Sequence, residues 1–327
     1  MVLAQGEGVG LMKPVCVGLL VASLLFAPLV ASADTTALIL SGVPGSDEHR
    51  TRFEDWTSST RTALVETFGF GESNVVVLAD REARADDIRN AFADISGRLE
   101  PEDTFFLFFI GHGAFDRSEY KFNIMGADLT ATDYAGLLDS LPAGRIVIIN
   151  GTNSSGASIE ALGGENRVVV TATRSGTEQN DPLFYEYYLA TLGEVLADED
   201  RNEELSVWEA FRYTTLEVER FYDEEGRLAT EHPQISDNGS EQTGVEVEEM
   251  PVLSRMINFN QVVEVRVDDP VLQALFDQRR DLESQVEALQ LVDGAIPEEE
   301  FNNQLEALII ELALTNRAIR EYEESQQ

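Results

Sequence analysis

Apolar runs alternate with amphipathic segments over residues 36–222 of the chain. The runs predict strands over 36–40, 74–78, 104–110, 145–150 and 167–172. The segments between and after them predict helices over 50–68, 86–99, 130–141, 182–196 and 206–223, with a short hairpin arm at 120–125. Alternation of this kind is typical of an α/β domain, in which helices flank a mostly parallel sheet on both faces.

The remainder of the chain has a different pattern. Residues 224–270 are acidic and less regular, with one strand-like run at 261–267. Residues 271–327 carry apolar side chains at heptad spacing on either side of a break at Asp293-Gly294. Two helices joined by a short turn form an antiparallel hairpin. Its apolar stripe is predicted to pack either on the chain's own domain or, as self-association, on a second copy.

The N-terminal residues 1–33 have the features of a secretory signal peptide. Lys13 precedes an apolar run over 14–30, and Ala31-Ser32-Ala33 is a small-x-small cleavage site before Asp34. Cleavage would release an exported protein, periplasmic or secreted, with no stable membrane insertion. The alternative is that the run stays attached as an anchor helix, which needs about 20 apolar residues. Cys16, the one cysteine of the chain, lies inside this segment.

The chain is strongly acidic, with a formal net charge of −37. A surface of this charge repels nucleic acid and anionic lipid, and it suits cations, basic partners or a salty environment. We therefore expect a protein or peptide partner and no nucleic acid.

Two predicted strands end in residues that can do chemistry. The strand over 104–110 leads into Gly111-His112-Gly113, and the strand over 145–150 leads into Gly151-Thr152-Asn153-Ser154-Ser155. In an open α/β sheet the functional site lies beyond the carboxyl ends of the strands. A histidine facing a nucleophile from a neighbouring strand is the arrangement used for covalent hydrolysis.

These motifs resemble a known family over about residues 36–222. A strand ending in His-Gly, followed by one ending in Asp/Glu-Ala-Cys-x-Ser-Gly, is the signature of caspase-like and legumain-like cysteine peptidases. Gly111-His112-Gly113 matches the histidine motif, and 150–154 falls where the cysteine motif belongs. The resemblance implies a caspase/legumain-like domain over 34–223. The family often places substrate-binding residues after the first strand, where His49 stands; we interpret His49 as a residue of a solvated loop, and His232 has no evident partner.

The departures from the family motif decide the functional prediction. Thr152 occupies the place of the nucleophilic cysteine, and Asn150 replaces the acidic residue. A threonine hydroxyl is far less acidic than a thiol and needs a strong, well-placed base. The sequence therefore predicts a pseudopeptidase used for binding or assembly, in which His112 is held by packing. The alternative is a hydrolase of the same fold, in which Thr152, Ser154 or Ser155 supplies the hydroxyl beside His112.

An acidic run after the fourth predicted helix is in the register of an EF-hand calcium loop. Oxygen ligands stand at loop positions 1, 3, 5, 7, 9 and 12, where position 7 offers its backbone carbonyl: Asp198, Asp200, Asn202, Glu204, Ser206 and Glu209. Glu203 stands at position 6, where glycine is normal. Ca²⁺ is the one cofactor predicted. The alternative is an acidic linker that ends in a capping box between Ser206 and Glu209.

Overall fold

The structure is a computed structural model that describes residues 34–199, 201–202, 204–243, 252–260, 270–290 and 297–326. The predicted signal segment, the strand-like run at 261–267, the turn at Asp293-Gly294 and the candidate ligand Asp200 lie outside the described residues.

Ten strands and nine α-helices are found in the described part of the chain. The strands are β1 Thr35–Ser41, β2 Val75–Ala79, β3 Thr104–Ile110, β4 Gly113–Phe115, β5 Tyr120–Phe122, β6 Leu129–Thr130, β7 Arg145–Asn150, β8 Arg167–Thr171, β9 Gln234–Asp237 and β10 Ser240–Thr243. The helices are α1 Asp47–Thr62, α2 Ala85–Ser96, α3 Ala131–Leu138, α4 Ile159–Leu162, α5 Phe184–Thr191, α6 Val207–Glu224, α7 Leu253–Met256, α8 Pro270–Gln290 and α9 Glu298–Gln326.

Seven strands form the central sheet, in the order β10-β9-β8-β7-β3-β1-β2. The pairs β1–β2, β1–β3, β3–β7 and β7–β8 are parallel, whereas β9 and β10 join antiparallel. The three short strands β4, β5 and β6 make a separate antiparallel sheet. The predicted fold class, a mostly parallel sheet flanked by helices, is confirmed.

Strand β3 is buried on both faces, as its continuous apolar sequence predicts. Phe106, Phe108 and Ile110 belong to one hydrophobic cluster, which helices α1, α5 and α6 cover. Phe105, Leu107 and Phe109 belong to the other cluster, which helices α2 and α3 cover. Because successive side chains of a strand point to opposite faces, one apolar run serves both layers.

Helix α1 begins three residues before the predicted start, since Ser46 caps it. The Ser46 side chain accepts a hydrogen bond from the backbone N–H of His49 at 3.2 Å. His49 therefore lies in the first turn of a helix and not in a solvated loop, which corrects the interpretation drawn from the sequence.

The described residues of the stretch 224–260 are more regular than their sequence suggests. Strand β9 pairs with β8 and β10 pairs with β9, so the sheet continues beyond residue 223. The Asp237 carboxylate accepts hydrogen bonds from the backbone N–H groups of Leu253 and Ser254, at 3.2 and 2.7 Å, where α7 begins.

The predicted C-terminal helical hairpin is also confirmed: α8 and α9 pack on each other, with Leu282, Leu289 and Ile319 buried. Ile309, Ile310 and Leu314 of α9 are exposed, and self-association through the hairpin stays a prediction. Within the described ranges, no helix combines the length and the apolar character that crossing a membrane requires.

Candidate functional site

Strands β3 and β7 are neighbours, so the two predicted motifs meet at one edge of the sheet. Phe109 is paired with Asn150 in the parallel register, and neighbouring strands lie about 4.8 Å apart. Beyond β3 the chain turns at Gly111, whose φ of +145° is a conformation that side chains rarely adopt. This turn directs His112 across the carboxyl ends of the parallel strands, which we call the carboxyl edge of the sheet.

The half-buried His112 ring is held between two acceptors. Its Nε2 lies 3.2 Å from the backbone oxygen of Pro44, and its Nδ1 lies 3.5 Å from a carboxylate oxygen of Asp181. Hydrogen bonding to Asp181 raises the pKa of His112, although burial of the ring opposes the increase. Since both partners only accept, the ring makes both contacts at once when both its nitrogens carry protons.

His49 and Arg52, one turn apart on α1, complete this group of residues. His49 Nε2 lies 2.7 Å and an Arg52 guanidinium nitrogen 3.1 Å from the same Asp181 oxygen. The His49 and His112 rings meet edge to face, with centroids 4.6 Å apart. Hydrogen bonds from His112 and His49, together with Arg52, hold the pKa of Asp181 far below its usual range, despite partial burial.

Sequence reasoning missed Asp181 and Arg52 as members of this site. Asp181 follows β8 in the loop before α5, at the same carboxyl edge as His112. An acidic side chain in the loop that follows the carboxyl end of a buried parallel strand was the available signal.

Thr152 lies at the predicted backbone position, but its side chain is fully buried. Its hydroxyl lies 2.7 Å from the Tyr120 hydroxyl and donates to the Asn150 side-chain oxygen at 2.8 Å. Burial raises the pKa of Tyr120 well above its ordinary value, so the phenol stays protonated. The Thr152 proton is therefore directed into the interior.

Asn153 links the two strand ends directly. Its side-chain oxygen accepts from the Gly113 N–H at 3.1 Å, and its side-chain nitrogen donates to the Gly113 carbonyl at 2.8 Å. A Cβ on Gly113 would lie only 2.3 Å from the Asn153 carbonyl, so this close approach requires glycine.

The two candidate serines are also buried. Ser154 has a φ of +59°, its backbone N–H donates to the Glu178 carbonyl at 2.8 Å, and its hydroxyl has no partner among the described residues. The Ser155 hydroxyl pairs with that of Thr173 at 3.2 Å. Within the part of the chain that the structure describes, no hydroxyl lies within hydrogen-bond reach of the His112 ring.

The loop between β8 and α5, which carries Asp181, is held in place by residues that follow α6. The Glu231 carboxylate accepts from the backbone N–H groups of Leu183 and Phe184, and His232 Nδ1 lies 2.7 Å from a carboxylate oxygen of Glu178. His232 thus has a partner that the sequence did not reveal.

In the predicted calcium loop, Glu209 and Asp198 accept hydrogen bonds from the backbone. One Glu209 oxygen accepts from the backbone N–H of Ser206 and the other from that of Glu199, each at 3.0 Å. The Asp198 carboxylate accepts from the Asn202 N–H at 3.1 Å. The capping box between Ser206 and Glu209 is confirmed. Calcium binding by this loop stays a prediction.

Comparisons with known proteins do not identify a function for this chain. No protein-family model and no curated protein matches the chain. It is similar to the crystal structure of protein GSU0716 from Geobacter sulfurreducens, with 13% sequence identity, coverage of 66% of this chain and 100% of that chain, and a TM-score of 0.42. At this level the similarity supports no assignment of family or activity.

Proposed function

We propose that this chain is an exported, non-catalytic relative of the caspase-like and legumain-like peptidases, which binds a protein or peptide partner or serves in an assembly. The observation that carries the proposal is the separation of the base from the hydroxyls: His112 is bound to Pro44 and Asp181, whereas the Thr152 hydroxyl is bound to Asn150 and Tyr120.

The first support comes from His112. A general base must hold a free nitrogen within about 2.6–3.2 Å of the proton that it removes. Both His112 nitrogens already face acceptors, and the hydrogen bond to Asp181 raises the pKa of the ring and so favours its protonated form. A ring held in this way stabilises the loops around it and does not activate a nucleophile.

The second support comes from Thr152. A nucleophile must be reachable by substrate, and this side chain is 0% exposed. Its bond to Asn150 also uses the proton that a base would have to take. Ser154, at 1% exposure, is no more accessible.

The third support is a surface suited to recognition at this edge of the sheet, formed by Arg52, Trp56 and His49. The Arg52 guanidinium lies 5.2 Å from the centroid of the Trp56 ring, next to His49 and Asp181. Aromatic and arginine side chains supply much of the contact energy at protein interfaces. The net charge of −37 favours a basic partner.

Activity-based labelling tests the non-catalytic half of the proposal. The wild-type chain is expected to resist serine-directed fluorophosphonate and to leave a peptide library uncleaved, while a serine peptidase added to the same mixture is labelled. Because position 152 is buried, Thr152→Cys is expected to react with a thiol-directed probe only after unfolding in urea. Cleavage by the wild type that is lost in both His112→Ala and Thr152→Val would replace this proposal with the hydroxyl-hydrolase alternative.

The binding half needs a separate measurement. Basic peptides from the same library are expected to be retained by the immobilised wild type and released by the Trp56→Ala variant. Phe221, on helix α6, is partly buried like Trp56 and offers the matched control as Phe221→Ala. Equal retention by all three proteins would contradict recognition at this edge.

A further inference from the structure

Three elements bring metal-binding side chains together at the carboxyl edge of the sheet. His49 comes from α1, His112 from the end of β3 and Asp181 from the loop before α5. One ligand atom from each lies within 4.8 Å of the other two. His49 Nε2 is 2.7 Å and His112 Nδ1 is 3.5 Å from the Asp181 carboxylate.

Each histidine ring is oriented through its other nitrogen. His112 Nε2 lies 3.2 Å from the Pro44 carbonyl, and His49 Nδ1 lies 2.9 Å from the Ser46 hydroxyl. A hydrogen bond at the far nitrogen is the means by which proteins aim metal-binding histidines. Pro44 and Ser46 belong to one short loop between β1 and α1, so a single loop fixes both rings.

We propose that His49, His112 and Asp181 form a binding site for a divalent transition-metal ion, with zinc preferred and a fourth position open to water. Two imidazoles and one carboxylate are a ligand set that zinc accepts, at about 2.0–2.2 Å per bond. Calcium, in contrast, prefers oxygen ligands alone. The inference is independent of the proposed function, since it holds whether or not the chain hydrolyses peptides.

The spacing fits with small adjustments. Bonds of about 2.1 Å in a tetrahedral site place neighbouring ligand atoms about 3.4 Å apart. The contact between His112 and Asp181, at 3.5 Å, already has this length. The contact between His49 Nε2 and Asp181, at 2.7 Å, is to Oδ2, the oxygen that does not face His112. His49 must give up this hydrogen bond and bind an ion that Asp181 holds through Oδ1.

Arg52 is the neighbouring charge that opposes a cation. Its guanidinium donates to Asp181 Oδ2, whereas Oδ1 is the oxygen that faces His112. One carboxylate oxygen can therefore serve the ion while the other keeps Arg52. Ligating carboxylates are commonly held by hydrogen bonds of this kind.

The test must separate this site from the many surface carboxylates. The full chain, without a polyhistidine tag and with Cys16→Ser to remove the single thiol, is stripped with chelator. It is then titrated with Co²⁺ and Zn²⁺ in excess Mg²⁺, about 5 mM, which competes for all-oxygen sites. We expect one equivalent of Co²⁺ to give visible absorption bands and one equivalent of Zn²⁺ to abolish them.

Variants assign the ligands. His49→Ala, His112→Ala and Asp181→Asn are each expected to weaken Zn²⁺ binding by about 100-fold or more, and Ser46→Ala by about 10-fold. His232→Ala is the matched control, because the third histidine of the chain pairs with Glu178 and lies outside the cluster. This variant is expected to bind Zn²⁺ as tightly as the wild type.

A measurement on the wild type alone guards against variants that fail to fold. Histidine ring signals in NMR spectra are expected to shift for His49 and His112 on addition of Zn²⁺ and to stay in place for His232. Binding that Mg²⁺ abolishes, or that survives both His49→Ala and His112→Ala, would overturn the proposal. A Zn²⁺-induced shift of the His232 signal alone would do the same.

Discussion

Glu231 determines whether the loop that carries Asp181 keeps its place. Its side chain is 2% exposed and accepts hydrogen bonds from Leu183 N–H at 2.8 Å and Phe184 N–H at 2.9 Å. The Tyr222 hydroxyl also donates to it, at 3.0 Å. The first N–H groups of a helix have no partner within the helix, and an anion at that end is favourable. The Glu231→Ala substitution removes the acceptor for both N–H groups at the start of α5.

The size of the effect follows from these contacts. A hydrogen bond to a charged group contributes about 1.5–3 kcal/mol, and two backbone donors lose theirs. Burial raises the pKa of Glu231, so its ionised form bears a desolvation cost that the variant relieves. With that offset, Glu231→Ala is expected to lower the free energy of unfolding by about 3 kcal/mol. Glu231→Gln keeps one acceptor oxygen, and we expect about half of that loss.

Urea and thermal unfolding followed by circular dichroism measure the change. A loss of about 3 kcal/mol lowers Tm by roughly 6–12 °C in a domain of this size. Glu219→Ala, an exposed position on α6, is the matched control and should stay within about 0.5 kcal/mol of the wild type. If Glu231→Ala behaved like this control, the N–H groups at the start of α5 would have found other partners, and the reasoning would be refuted.

The pH dependence of the Glu231 effect has a definite sign. Because burial raises its pKa, the folded state binds the proton more tightly than the unfolded state. Stability from this group is then fully present below the unfolded-state pKa, about 4.5, and decreases as the pH rises through the folded-state pKa. The stability advantage of the wild type over Glu231→Gln should therefore be greatest below about pH 4.5 and smaller at about pH 7. A gap that widens with pH would show that burial is not the dominant influence.

Two further predictions concern the site and the N-terminus. Asp181→Asn should lower the pKa of His112 in an NMR titration, because hydrogen bonding to Asp181 is the main cause of its elevation. The stability that this pair adds is present below the ordinary histidine pKa of 6.5 and is lost as the pH rises through the raised pKa of His112. The difference in stability between the wild type and Asp181→Asn should therefore narrow from acid to alkaline pH. An unchanged His112 pKa in the variant would contradict the assignment. For export, N-terminal sequencing of the native protein is expected to begin at Asp34, whereas residues 14–30 still attached would indicate an anchor.

The sequence predicted best the elements that depend on local pattern. Strands β3 and β7 begin and end at the predicted residues, since each is a continuous apolar run bounded by polar residues or glycine. The meeting of their carboxyl ends followed from the rule for parallel sheets. The helix predicted from residue 130 is α3, and Thr130 caps its start, with Asp133 as its capping-box partner.

The sequence could not show contacts between distant segments. His49 and Asp181 are 132 positions apart, and only the packing of α1 beside the loop before α5 brings them together. Strand β9 was missed for a related reason: its sequence, Gln-Ile-Ser-Asp, has one apolar residue, and its place in the sheet depends on pairing with β8. Pairing with a neighbouring strand thus overrides the low intrinsic strand propensity of these residues.

Thr152 shows how a correct backbone position can still mislead about chemistry. The hydroxyl stands where the peptidases that the sequence resembles have a thiol. It belongs to a buried network that links Tyr120, Thr152, Asn150 and Ser158. Members of such a network depend on one another, because an unpaired buried polar group is costly. Turning the Thr152 hydroxyl toward His112 would remove one hydrogen bond each from Tyr120 and Asn150 and leave them only their weaker mutual contact at 3.3 Å on that side, with no gain in acidity for the hydroxyl. The stability of the interior therefore opposes the use of Thr152 as a nucleophile, in agreement with the non-catalytic role that we propose.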